Sequence, residues 1–158
     1  MSSSKPGHDA SSSVRTRLAR YAAAGVKSRQ QLLSYARRSG LSGRAAAVLV
    51  DECVSRGLAD DAAGARLWAE HWARHGYGSV AIRAKLEAKE FQPRAIETTL
   101  RRASAGEEEA RARALIAARR RAGRGGRAQL ARSLGARGFD PDLIERLLDE
   151  AADHPAVS

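Results

Sequence analysis

Disulfides are excluded at once: the chain has a single cysteine, Cys53, and with no second thiol it cannot be covalently stapled. Aromatic residues make up only 4% of the 158 residues, so no large aromatic core can form and small helical units must stack on one another to bury enough surface. No uninterrupted apolar run reaches the eighteen or so residues that a membrane-spanning helix needs. Catalytic signatures are missing as well. No phosphate loop ends in Lys-Ser/Thr, no serine sits in a nucleophile elbow, and no pair of carboxylates has an acid–base setting. The nearest approach to a phosphate loop, Gly123-Arg124-Gly125-Gly126-Arg127, lacks the strand before it and the lysine after it, so it reads as a basic turn between helices. These absences predict a protein that is not an enzyme and holds no cofactor or metal. Residues 1–13 are serine-rich and lack the apolar stretch of a secretion signal, which predicts a disordered start to a soluble, cytoplasmic chain.

Arginine and alanine are what the chain has in quantity. The net charge of +10 comes almost entirely from arginine, and so basic a balance fits a nucleic acid or an acidic protein surface as partner. Arginine enrichment can also follow from genome base composition, so the charge does not by itself identify a partner.

The best-specified stretch is Gly76-Tyr77-Gly78-Ser79, followed by Ile82 and Leu86. Two glycines supply a tight connection, Ser79 is the expected N-cap, and Ile82 and Leu86 at i,i+4 share one helical face. Pro93 opens the next helix at a position where its missing N–H costs nothing, and Ile96 and Leu100 continue the apolar stripe. Residues 62–75 supply the helix that covers this pair. Helices are likewise expected at 14–24, from Ser28, and from Ser42 to a stop at Gly57. The third region should carry helices near 107–122, 127–137 and 141–152. Ser28 with Gln31, and Ser104 with Glu107, have capping-box spacing.

The units repeat. A shift of 48 residues sets Ile82 on Leu130, Leu86 on Leu134, Phe91 on Phe139, Pro93 on Pro141, Ile96 on Ile144 and Leu100 on Leu148. A shift of 50 in the other direction sets Ile82 on Leu32, Leu86 on Ala36, Phe91 on Leu41 and Leu100 on Val50, a degraded copy. Glu90 stands where the other copies have Gly40 and Gly138, so the middle turn must form without a glycine. The expected fold is all-α: three tandem three-helix repeats at 14–57, 58–104 and 105–152, forming an elongated, curved, monomeric array, with a short tail at 153–158.

With these residues in place, the chain resembles the RecX family of bacterial recombination regulators from about Val14 to Glu150. The resemblance rests on Gly57-Leu58-Ala59-Asp60-Asp61, fourteen further residues, Gly76-Tyr77-Gly78, then Ile82, Arg83, Leu86, Lys89 and the Phe91-to-Leu100 stretch. Arg137-Gly138-Phe139 followed by Ile144 is similar to that family's closing repeat. The chain departs from the family pattern at Gly64, where an aromatic is common, at Trp72, where a basic residue is common, and at Glu90. The resemblance implies a protein that binds the RecA recombinase filament on single-stranded DNA, lies along its helical groove, and restrains ATP hydrolysis, filament growth and strand exchange.

Two sets of residues are candidates for partner binding. Tyr77, Arg83, Lys85 and Lys89 belong to the glycine turn and the helix after it. Arg119, Arg120, Arg121, Arg124 and Arg127 lie at the end of one helix, in a glycine turn and at the start of the next, where guanidinium groups can pair with carboxylates of the filament or with DNA phosphates. Tyr77 could equally pack within its unit. Trp68 and Trp72 could stack on bases, but four residues apart in a chain so poor in aromatics they are expected in the core. His71 and His75 share the same spacing but lack a third ligand, so they read as solvent-facing or capping residues and not as a metal site. Cys53 is expected to be a small buried core residue. An autonomous helical DNA-binding module acting through its arginines is the alternative reading.

Overall fold

A computed structural model describes residues 7–103 and 105–153, and among these the chain forms nine α-helices and no strand. They are α1 (Gly7–Ala23), α2 (Arg29–Arg38), α3 (Gly43–Ser55), α4 (Asp61–Arg74), α5 (Ser79–Ala88), α6 (Pro93–Arg102), α7 (Ala105–Arg121), α8 (Arg127–Ala136) and α9 (Pro141–Asp153). None is long and apolar enough to cross a membrane. Helix-to-helix packing gathers them as α1–α3, α4–α6 and α7–α9, each around its own apolar cluster. This fits the expected succession of three-helix units.

Each cluster is built from the apolar positions that recur at helical spacing. Leu32, Ala46, Val50 and Cys53 are buried in the first, where burial also raises the Cys53 thiol pKa. Ile82, Leu86, Phe91 and Ile96 form the second, and Leu130, Leu134, Phe139 and Leu148 the third. Local signals hold too. The Ser28 hydroxyl accepts the Gln31 N–H at 3.1 Å while the Gln31 side chain accepts the Ser28 N–H at 3.0 Å, a complete capping box. Glu90 takes φ of +59°, the one left-handed non-glycine residue among those described, so the middle turn is strained as its sequence implied.

Three local expectations need correction. α1 begins at Gly7 and not near Val14; no proline or glycine lies between Gly7 and Gly25, so nothing stops the helix from extending into the serine-rich stretch. Gly78, not Ser79, is the N-cap of α5; Ser79 is its first helical residue, and its N–H is taken by the Glu108 carboxylate at 2.8 Å. Trp68 and Trp72 are half-buried at the edge of the second cluster, because α4 faces that cluster with the small residues Ala65 and Ala69 instead. The proposed Ser104–Glu107 capping box, residues 1–6 and residues 154–158 lie outside the described residues.

Successive groups are joined by one repeated device. An acidic residue in the first turn of one group's leading helix caps the second helix of the group before it: Asp61 accepts the Arg29 N–H at 2.8 Å, as Glu108 accepts that of Ser79. Asp61 also accepts the Gln92 N–H at 3.0 Å, tying the start of α6 into the first junction. The segment preceding the second helix lies against the turn of the next group. Val26 reaches the hollow at Gly64, where an added Cβ would lie 3.0 Å from Val26 Cγ1 and 2.8 Å from Phe91 Cε1, so an aromatic side chain has no room there.

The second junction is closer still. The Gly78 N–H donates to the Arg137 carbonyl and the Val80 N–H to the Gly138 carbonyl, both at 2.9 Å. A Cβ on Gly78 would lie 2.4 Å from the Gly138 oxygen, and one on Gly138 2.3 Å from Ala81 Cβ. Only glycine at both positions lets the two backbones meet.

Gly138→Ala should therefore combine about 1–3 kcal/mol of overpacking with about 1 kcal/mol of left-handed strain. Gly123 shares a positive φ of +70° but has nothing within reach of an added Cβ, so Gly123→Ala should show only the strain. Denaturant melts that gave both variants the same loss would contradict the close junction.

Charge clamps the third group. Glu109 accepts from Arg113 at 2.7 Å and Arg146 at 2.8 Å, and Glu150 accepts from the same two arginines at 2.6 and 3.1 Å, joining α7 to α9. Hydrogen bonds from Arg146 and then Arg113 hold the Glu109 carboxyl at a pKa of about 2, against an ordinary 4.5. Because the folded pKa is depressed, this stabilisation is present above about pH 4.5 and is lost as pH falls through about 2. Glu109→Gln should lower the melting temperature near neutral pH and flatten its decline across that acid window. Parallel declines for the two proteins would show that the ring contributes nothing to acid sensitivity.

Candidate polyanion-binding strip

The junction between the second and third groups places cations and aromatic rings in one row. Docking of Gly78 on Arg137 and Gly138 brings the Arg137 guanidinium over the Tyr77 ring, 5.2 Å from its centroid, and Arg137 Nη1 donates to the His75 carbonyl at 3.1 Å. Lys85 extends back from α5, its ammonium 4.6 Å from the Tyr77 centroid and 5.6 Å from that of Trp72. Trp72 stacks on Trp68 with centroids 5.2 Å apart and planes 24° apart. Lys89 lies over Trp68 at 3.9 Å. The order along the row is thus Arg137, Tyr77, Lys85, Trp72, Trp68, Lys89.

Sequence spacing explains the row. Trp68 and Trp72 are one turn apart on α4, Lys85 and Lys89 one turn apart on α5, and the two helices pack side by side. His71 meets the Trp68 ring edge-on, and His75 caps α4, its Nδ1 2.7 Å from the His71 carbonyl oxygen. Desolvation first, then His75 and Arg74, lower the His71 pKa, so the positive charge of this face comes from lysine and arginine.

On the third group the row continues into an open cleft of about 350 Å³ between the end of α7 and α8, lined by Arg119, Arg124, Arg132 and Arg137 along with Gln129 and Ser133. No carboxylate lines it. Among the described residues, Lys85, Lys89, Arg119, Arg124, Arg132 and Arg137 form no ion pair, in contrast to the clamped arginines of α7 and α9. Arg137 belongs both to the cleft and to the aromatic row, so it connects the two.

The residues singled out from sequence divide accordingly. Tyr77, Lys85 and Lys89 come together in the row, and Arg119 and Arg124 in the cleft. Arg83 is committed to Glu97, with which it makes a two-pronged pair that lowers the Glu97 pKa. Arg127 is held by Asp149 at 2.7 Å. Arg120 faces a separate hollow with Arg113, Ile116, Leu147 and Glu150, and Arg121 lies exposed at the end of α7. Arg132 and Arg137 belong to the arginine-rich third region but were not singled out within it, and Trp68 and Trp72 were weighed for base stacking but expected in the core. The Arg137-Gly138-Phe139 turn was the available signal for Arg137, and the tryptophan spacing for the pair; nothing local distinguished Arg132.

Comparison with known proteins gives a fold and no sequence match. No family model matches the chain, and no curated protein matches it in sequence. Two solved structures share the fold. A crystal structure of RecX from Lactobacillus salivarius superposes with a TM-score of 0.81 at 15% identity, covering 91% of this chain and 97% of that one. A crystal structure of the regulatory protein RecX superposes with a TM-score of 0.74 at 16% identity, covering 89% of this chain and 72% of that one. At 15% and 16% identity the likeness is one of fold. The chain has the RecX fold.

Proposed function

We propose that the protein is a non-catalytic modulator of the RecA recombinase, which binds the RecA filament on single-stranded DNA and restrains its ATP hydrolysis, growth and strand exchange. The observation that carries this reading is a RecX fold in which Lys85, Lys89, Arg119, Arg124, Arg132 and Arg137 lie in one strip across two successive units and form no ion pair among the described residues. A long strip on a stack of helical units matches an extended, repeating anionic partner better than it matches a small molecule. Its cleft is open and lined by arginine, with no acid, base or nucleophile arranged for a reaction. A modulator of this kind would act by occupying the groove of the filament. The alternative, an autonomous DNA-binding module, would use the same arginines.

The test is RecA ATP turnover on saturating single-stranded DNA with increasing amounts of the protein. Turnover should fall as the protein approaches stoichiometry with the filament. A variant carrying Arg119→Glu, Arg124→Glu and Arg132→Glu removes no ion pair of the fold and should keep its helicity while losing about tenfold or more in filament affinity. If filaments neither bind the protein nor change their turnover, the modulator reading fails. The DNA-module reading then predicts binding to naked duplex that falls with salt by a log–log slope of about 0.9 per phosphate contact.

A further inference from the structure

Trp68 and Trp72 are the only tryptophans of a chain with 4% aromatic residues, and both lie at the margin of the second cluster and not within it. They stand half-buried and stacked on each other, flanked by the Lys85 and Lys89 ammonium groups, which form no ion pair among the described residues. The buried indole N–H of Trp68 has no acceptor. From this arrangement we propose that Trp68 and Trp72 form a stacking platform for the bases of a single-stranded nucleic acid, whose phosphates are held by Lys85, Lys89 and the arginine cleft. The proposal deepens the reading above, resting on the strip as the binding face, and adds a ligand that the strip takes without help from a protein filament.

The chemistry follows from alternation. A single strand presents flat apolar rings and anionic phosphates by turns, and the row presents flat rings with cations set between and beside them. Contacts between an exposed ammonium and an aromatic ring are weak, so a base can displace Lys89 from the face of Trp68 while the ammonium moves to a flanking phosphate. An acidic peptide would satisfy the cations but make no use of the tryptophan faces. A duplex keeps its bases stacked on one another and offers only its backbone.

The two tryptophans report on their own site, since no other residue contributes indole fluorescence. The full chain is titrated with an oligothymidylate, with inorganic polyphosphate and with a polyglutamate peptide. The oligothymidylate should quench the tryptophan emission, with affinity falling as salt rises, while the two polyanions without bases should bind more weakly and leave the emission unquenched. Trp72→Leu should weaken oligothymidylate binding roughly five- to hundredfold, and Trp72→Phe, which keeps an aromatic face and guards against a folding defect, should retain most of it. Equal binding by polyphosphate or polyglutamate without quenching, or unchanged affinity in Trp72→Leu, would overturn the platform. If naked oligothymidylate fails to bind while the RecA filament still does, the platform is refuted and the modulator reading stands; if neither binds, both are refuted.

Discussion

The approach of two backbones at Gly78 and Gly138 is the constraint on which the binding face depends. With Cβ positions only 2.3–2.4 Å from neighbouring atoms, the contact tolerates no side chain on either partner, and three inter-group hydrogen bonds to the carbonyls of Arg137 and Gly138 set its register. That register carries Arg137 onto Tyr77 and so turns two separate basic surfaces into one strip. A side chain at either glycine would push the third group away and leave the arginine cleft detached from the aromatic row. The geometry of the site is therefore a by-product of how units stack, which is how repeat proteins generally build extended surfaces.

Charge is sorted by the same architecture. Several arginines outside the strip have an acid beside them: Arg83 with Glu97, Arg127 with Asp149, and Arg113 and Arg146 with Glu109 and Glu150. Along the strip no acid lies close enough to form a pair. Exposed ion pairs contribute little stability individually, so withholding them there costs the fold little and leaves a concentrated positive field. Aromatic rings beneath Lys85, Lys89 and Arg137 restrain cations that would otherwise be mobile.

What could be read from the sequence was largely what is local in the chain. Ile82 and Leu86 at i,i+4, Pro93 and Pro141 at helix starts, and the Ser28–Gln31 box each specify a neighbourhood of a few residues, and each gives the structure found. The all-α class followed from the same periodicity, and the ordered motifs around Gly76-Tyr77-Gly78 pointed to the RecX fold. What the sequence concealed is long-range. Arg83 pairs with a residue fourteen positions away, and Arg127 with one twenty-two positions away, so neither could be recognised as already engaged. Trp68 and Trp72 have core spacing, but spacing cannot tell the middle of a helix face from its margin; the small residues Ala65 and Ala69 take the middle. Asp61 and Glu108 gave no sign of their role because the amides they cap lie in the preceding group.

This strip is the face proposed to meet the filament, and the lysines of the chain offer a direct measurement. Lys85 and Lys89 lie in the strip, Lys27 rests on Tyr21 in the first group, and Lys5 belongs to the N-terminal stretch. Covalent labelling of lysine amines, read residue by residue with and without RecA filaments on single-stranded DNA, compares all of them in one sample. Lys85 and Lys89 should become protected on filament binding, with Lys27 left reactive. Binding that protects Lys27 while Lys85 and Lys89 keep their reactivity would contradict this assignment.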